Sequence, residues 1–174
     1  MTTKTYAAPW GRRIWLITGA VTLFGLVFAL VLPWSLPVRN PDERWGLWIA
    51  APVTLLIVGG TSFWMIRGFE LTSDTLIVRR SFWSNRIPLA AIQSAELDAR
   101  ACEGAMKTLG NDGLFAMHGR FRSKRLGKFQ AYVTDPRNSV VLRLPSDIVV
   151  VSPENPRQFL SELNRRLAHF KEPR

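Results

Sequence analysis

The chain has 174 residues, is 47% hydrophobic with a mean hydropathy of +0.05, and carries a formal net charge of +10. Its single cysteine, Cys102, excludes an intramolecular disulfide and with it a disulfide-stapled fold. Charge is spread unevenly: residues 67–174 hold 18 of the 23 Lys and Arg and 11 of the 13 Asp and Glu, a net of +7 that points to an anionic partner.

Residues 1–13 form a short polar segment with Lys4, Arg12 and Arg13. Two runs without a charged residue or histidine follow, residues 14–35 and 45–66, each 22 residues long. At about 1.5 Å per residue, either run is long enough to cross a hydrocarbon core of about 30 Å, which predicts a transmembrane helical hairpin over residues 14–66. The first run is too long for the apolar region of a signal peptide, and no small-x-small cleavage site follows it, so it is expected to be an uncleaved anchor. Trp10, Trp15, Trp34, Trp45, Trp48 and Trp64 fall near the expected helix ends, where indole rings settle at the headgroup level. The link over residues 38–44 is too short for a domain and is flanked or interrupted by Pro37 and Pro41, as in a tight turn. Lys4, Arg12 and Arg13 before the hairpin, and Arg67, Arg79, Arg80 and Arg86 after it, outnumber Arg39 and Arg44 in the link, which places both termini in the cytoplasm. The runs hold no ionisable side chain for an ion path, and Gly59 and Gly60 suit close helix packing.

After Arg67 the periodicity changes. Residues 69–72 and 75–80 are β-prone runs around a Ser73, Asp74 turn, and residues 86–89 and 92–101 supply two further strand candidates. Residues 102–113, with Gly104, Gly110 and the Asn111, Asp112, Gly113 run, are expected to be a loop, since no phosphate-binding glycine spacing is present. Residues 114–121 and 126–134 are the next strands, with Phe129, Ala131 and Val133 on one face of the second. A closing hairpin over residues 139–144 and 147–151 turns at Pro145 and Ser146. The last element is an amphipathic helix over about 156–170: Asn155 caps, Pro156 suits the first position, and Phe159, Leu163, Leu167 and Phe170 form its apolar stripe.

About seven antiparallel strands followed by one helix is the element order of the pleckstrin-homology-like fold, a bent sheet or open barrel capped by a C-terminal α-helix. The runs FELTSDTLIV, RIPLAAI, AYVTD, SVVLRL and VVVSPENPRQFLSEL resemble the bacterial PH domain families found just downstream of two membrane helices. The most specific piece is Ser152, Pro153, Pro156, Phe159 and Leu163. The resemblance implies a PH-like domain over 67–174 in a multi-pass protein of the bacterial inner membrane. It also implies a non-catalytic module for a protein partner, a homo-oligomer contact or the anionic membrane surface. An accessory subunit of a larger membrane transport or envelope-maintenance complex, contacted through the hairpin, is the alternative. Lipid-binding PH domains carry basic residues in the turn between their first two strands, whereas this chain has Ser73 and Asp74 there and Arg79 and Arg80 at the far end of the second strand.

Arg120, Arg122, Lys124, Arg125 and Lys128, interleaved with Phe121 and Leu126, are the densest charge in the chain and the candidate site for lipid headgroups or an acidic partner. A solvated hairpin turn accounts for the same residues, and nucleic acid fits them less well. His118 and His169 have no second ligand at metal spacing, and Glu96 and Asp98 share a strand face without a visible cleft. Ser152 lacks a nucleophile elbow and is expected to cap or make a turn. No catalytic constellation, metal site or cofactor motif is read from the sequence.

Overall fold

The computed structural model describes residues 3–35, 49, 52–57, 59–60, 62, 65–112 and 114–171. Two sheets build the molecule. The first is antiparallel in the order β1 (Lys4–Ala7), β2 (Ile66–Leu71), β3 (Thr75–Arg80) and β4 (Ser84–Pro88). Its β2–β3 turn closes where Thr72 N–H donates to Thr75 O at 3.0 Å and Thr75 N–H donates to Thr72 Oγ1 at 3.1 Å. Along β3 the strand period turns Leu76, Val78 and Arg80 inward.

The second sheet comprises β5 (Ser94–Leu97), β6 (Met106–Asp112), β7 (Met117–Ser123), β8 (Gly127–Val133), β9 (Val140–Arg143) and β10 (Ile148–Val151), in the order β5-β9-β10-β8-β7-β6. Strand β10 runs parallel to β8, and the other pairs are antiparallel. One core fills the space between the sheets under helix α2 (Pro156–Lys171), where Phe69, Leu76, Leu142, Phe159 and Leu163 lose all contact with solvent. Burying five such side chains contributes about 1.5–3 kcal/mol each. Phe159 is the centre of this packing, edge-on to Tyr6 at 5.2 Å and to Phe69 at 6.5 Å. A second core, with Phe121, Phe129, Ala131 and Val150, lies on the other face of the second sheet and packs with Ala101 and Cys102.

The structure overturns the expected architecture of two transmembrane helices plus about seven antiparallel strands. Among the described residues no helix is long and apolar enough to cross a membrane. Helix α1 (Arg12–Ser35) starts inside the β-module rather than at a bilayer surface. Ile14 is 2% and Thr18 4% exposed, Gly11 N–H donates to Thr134 O at 2.8 Å, and Thr18 Oγ1 accepts from Phe115 N–H at 2.9 Å. With its first two turns committed to these contacts, the apolar run beyond Thr18 extends only about 26 Å, short of the roughly 30 Å core. Trp10, expected at an interface, lies 5.8 Å from Phe115, and Ile66, expected in the second span, is buried in β2. The predicted span over 45–66 falls largely outside the described residues, as does the link over 38–44. A multi-pass inner-membrane placement with both termini cytoplasmic is corrected on the same finding.

Strand content differs too. Residues expected to be a short polar segment supply β1, whose Tyr6 joins the main core, and the stretch expected as a loop over 102–113 supplies all of β6. Gly110 and Gly119 explain the second miss. They face each other across β6 and β7 with φ of 126° and 122°, and a Cβ on either would strike the opposite backbone. These glycines permit a close strand crossing instead of a turn.

Candidate functional site

The β7–β8 hairpin sorts its residues by strand period. Phe121, Phe129, Ala131 and Val133 enter the second core. The opposite face carries His118, Arg120 and Arg122, registered with Tyr132, Gln130 and Lys128. Strand β6 adds two apolar side chains to that face, Met106 opposite Arg122 and Leu109 opposite Arg120, which are 76% and 71% exposed. The turn between β7 and β8 is held where Leu126 N–H donates to Ser123 Oγ at 3.0 Å, and Gly127 supplies its left-handed residue at φ 70°.

Beyond this turn lies an open groove of about 880 Å³, lined by Arg100, Glu103, Gly104, Met106, Arg122, Ser123, Lys124, Arg125 and Gly127. Three of the five sequence-predicted site residues, Arg122, Lys124 and Arg125, therefore meet in one place, joined by Arg100. Arg120 and Lys128 do not line the groove; both are exposed on the neighbouring sheet face. A second depression of about 540 Å³ shares Arg100, Glu103 and Gly104 with the first and adds Arg12, Arg13 and Arg137. The basic surface thus extends to the start of α1.

The cations of this surface are not equivalent. Arg125 Nη2 stands 3.1 Å from Asp98 Oδ2, and Arg13 Nη2 stands 3.9 Å from Asp112 Oδ1. Arg100, Arg122 and Lys124 make no ion pair with the described residues, so their charge projects into the groove. Glu103 is the one carboxylate that lines the larger depression. Such an arrangement makes the local potential positive and leaves it open to solvent.

The other candidate residues have structural employment. Glu96 is held by Arg143 at 2.8 Å, apart from the Asp98–Arg125 pair. Ser152 is fully buried and its Oγ accepts from Thr134 N–H at 2.7 Å and Asp135 N–H at 3.2 Å, tying the end of β8 to the end of β10. Burial pushes the Cys102 thiol up to about 11, which keeps it protonated and unreactive at neutral pH. His169 is exposed on α2, whereas His118 sits against Tyr132 with its ring centroid at 6.4 Å. Sequence reasoning missed Arg100 at the groove, and Arg12 and Arg13 at the second depression, because they are remote in the chain. The missed apolar neighbours, Met106 and Leu109, lay in a stretch whose glycines read as a loop.

A two-sheet β-module closed by a C-terminal helix carries this open charged surface. Residues 67–167, more than half of the chain, match the bacterial PH domain family, and the chain belongs to that family. PH domains serve in protein and lipid interaction and are generally non-catalytic. No curated protein and no solved structure matches the chain.

Proposed function

We propose that this PH domain docks on an anionic phospholipid surface through the β7–β8 turn and the groove beside it. The observation that carries the reading is the convergence of Arg100, Arg122, Lys124 and Arg125 on one open groove with the exposed Met106 on its wall. Cations meet headgroup phosphates while Met106 and Leu109 enter the headgroup and acyl boundary, a pairing that water alone does not reward. The Ser73, Asp74 turn carries no cation and takes no part in this surface.

Flotation of the full chain with vesicles of phosphatidylcholine, with and without phosphatidylglycerol, tests the reading. Each cation near an anionic surface contributes about 1 kcal/mol, so R122A/K124A should weaken partitioning into the anionic vesicles about 30-fold. R125A should do less, because Asp98 already neutralises that side chain. Equal flotation with both vesicle types, or indifference to R122A/K124A, overturns the proposal.

A further inference from the structure

Arg80 ends β3 with 7% exposure, and its N–H donates to Trp83 O at 3.0 Å. Its guanidinium carbon lies 5.4 Å from the Trp83 ring centroid and 5.1 Å from that of Tyr132. Two cation–π contacts and a hydrogen bond with the Tyr132 hydroxyl compensate part of the cost of burying the charge, but they leave Nε–H without an acceptor. Among the described residues the buried Nε has no hydrogen-bond partner, and no carboxylate contributes to the electrostatics of this guanidinium.

The other buried cation among the described residues is treated differently. Arg166, 4% exposed, has Glu162 at 2.8 Å and donates to the carbonyls of Leu71 and Thr72. Against that standard Arg80 lacks a counter-ion among the described residues. The Tyr132 hydroxyl that accepts from Arg80 is neutral and supplies no negative charge. The Gln130 amide donates to Tyr132 Oη at 2.8 Å, which leaves the hydroxyl proton to be donated elsewhere. The buried Nδ1 of His118 has no partner among the described residues, and the imidazole ring lies beside Tyr132. Burial, aided by the charge on Arg80, holds this imidazole down to about 4, so it is neutral at pH 7 and adds no second positive charge. Three side chains from β3, β7 and β8 thus bring one positive charge and several donors to one place.

The geometry points to a binding site for a carboxylate group at Arg80, with Tyr132 and His118 as the neutral donors beside it. One negative charge balances the one cation, and a flat carboxylate matches two N–H groups on one edge of a guanidinium. A phosphate monoester would bring a second negative charge that the one cation does not balance. The carboxylate comes either from a small free acid or from the C-terminus of a peptide, for which Phe82, 68% exposed at the neighbouring turn, offers an apolar contact. This site is independent of the groove beyond the β7–β8 turn.

The test follows the side-chain Nε–H resonance of Arg80 in the full chain, assigned by its loss in R80M, during titration with sodium acetate. A saturable shift that sodium chloride at equal ionic strength does not reproduce is the expected result. Y132F, which keeps the ring and removes the hydroxyl, should weaken acetate binding about 3- to 10-fold, as befits the loss of one hydrogen bond. A short apolar peptide with a free C-terminus that binds more tightly than acetate, and loses this advantage on amidation, assigns the site to a protein terminus. Equal affinity for acetate and peptide assigns it to small acids. A linear, chloride-like response, or a preference for methyl phosphate over acetate, overturns the inference. The wild-type titration decides the matter even if the Arg80 variant does not fold.

Discussion

Glu162→Gln removes one charge from α2 and leaves its shape. The carboxylate is 6% exposed and accepts from Arg165 Nη2 at 2.7 and 2.8 Å, from Arg166 Nε at 2.8 Å and from Lys4 Nζ at 3.3 Å. It therefore joins α2 to β1 directly, and to the end of β2 through Arg166, whose Nη1 donates to Leu71 O at 2.9 Å. The hydrogen bond from Arg165, then those from Arg166 and Lys4, hold the carboxyl down to about 2 against the opposing effect of burial. Arg165 exerts the largest pull, yet its side chain is 73% exposed and Arg166 is 4% exposed. Solvent screens the first interaction, so stability should follow the second. Breaking a buried ion pair costs about 3–5 kcal/mol, and because the glutamine still accepts a hydrogen bond the expected loss is about 2–3 kcal/mol. For a chain of this length that lowers Tm by about 5–10 °C in a thermal scan read by circular dichroism. R165A should cost about 0.5 kcal/mol or less, and R166M combined with Glu162→Gln should recover part of the loss. The Glu162 contribution is complete above pH 4.5 and disappears as pH falls toward 2. A loss below about 1 kcal/mol for Glu162→Gln, or an equal loss for R165A, would refute the assignment of the buried pair as the tie between α2 and the first sheet.

Two further outcomes are expected. His118, lowered by burial and then by Arg80 from 6.5 to about 4, favours the folded state while neutral; its contribution is complete above pH 6.5 and is lost as pH falls toward 4. Imidazole resonances followed against pH should place its midpoint near 4, and a midpoint near 6.5 contradicts the buried position. Ser152→Ala removes the acceptor shared by the Thr134 and Asp135 N–H groups, leaves Thr134 N–H in a fully buried residue, and should cost about 1–3 kcal/mol in urea unfolding. A change within 0.5 kcal/mol would mean that another acceptor takes over these donors.

What the sequence disclosed was local. Asn155 and Pro156 mark the start of α2, and the i, i+4 and i+8 spacing of Phe159, Leu163 and Leu167 is the stripe that enters the core. Thr72 to Thr75 closes the β2–β3 turn with short-range bonds that a turn signal captures. Pairings over long distances were not legible. Strand β1 has no pattern of its own beyond four residues, and its place is set by β2, more than sixty positions away. Likewise β6 is a strand because Gly110 meets Gly119, a juxtaposition that no spacing within residues 102–113 encodes.

The same distinction separates the parts of the candidate site. Arg122, Lys124 and Arg125 adjoin in the chain, so composition alone finds them, whereas Arg100 reaches them through the segment that covers the second core. Composition also misassigned Arg12 and Arg13. Before an apolar run they count as flanking charges, but Gly11 brings the chain against Asp135 so closely that a Cβ there would stand 2.7 Å from its Oδ1. That approach fixes the first turn of α1 beside Arg137 and turns both arginines into walls of the smaller depression. An apolar helix and a basic patch, separate features in the chain, therefore share one junction in the fold. The residues that set this junction, Gly11, Thr18 and Phe115, carry no charge or motif that would have marked them in advance.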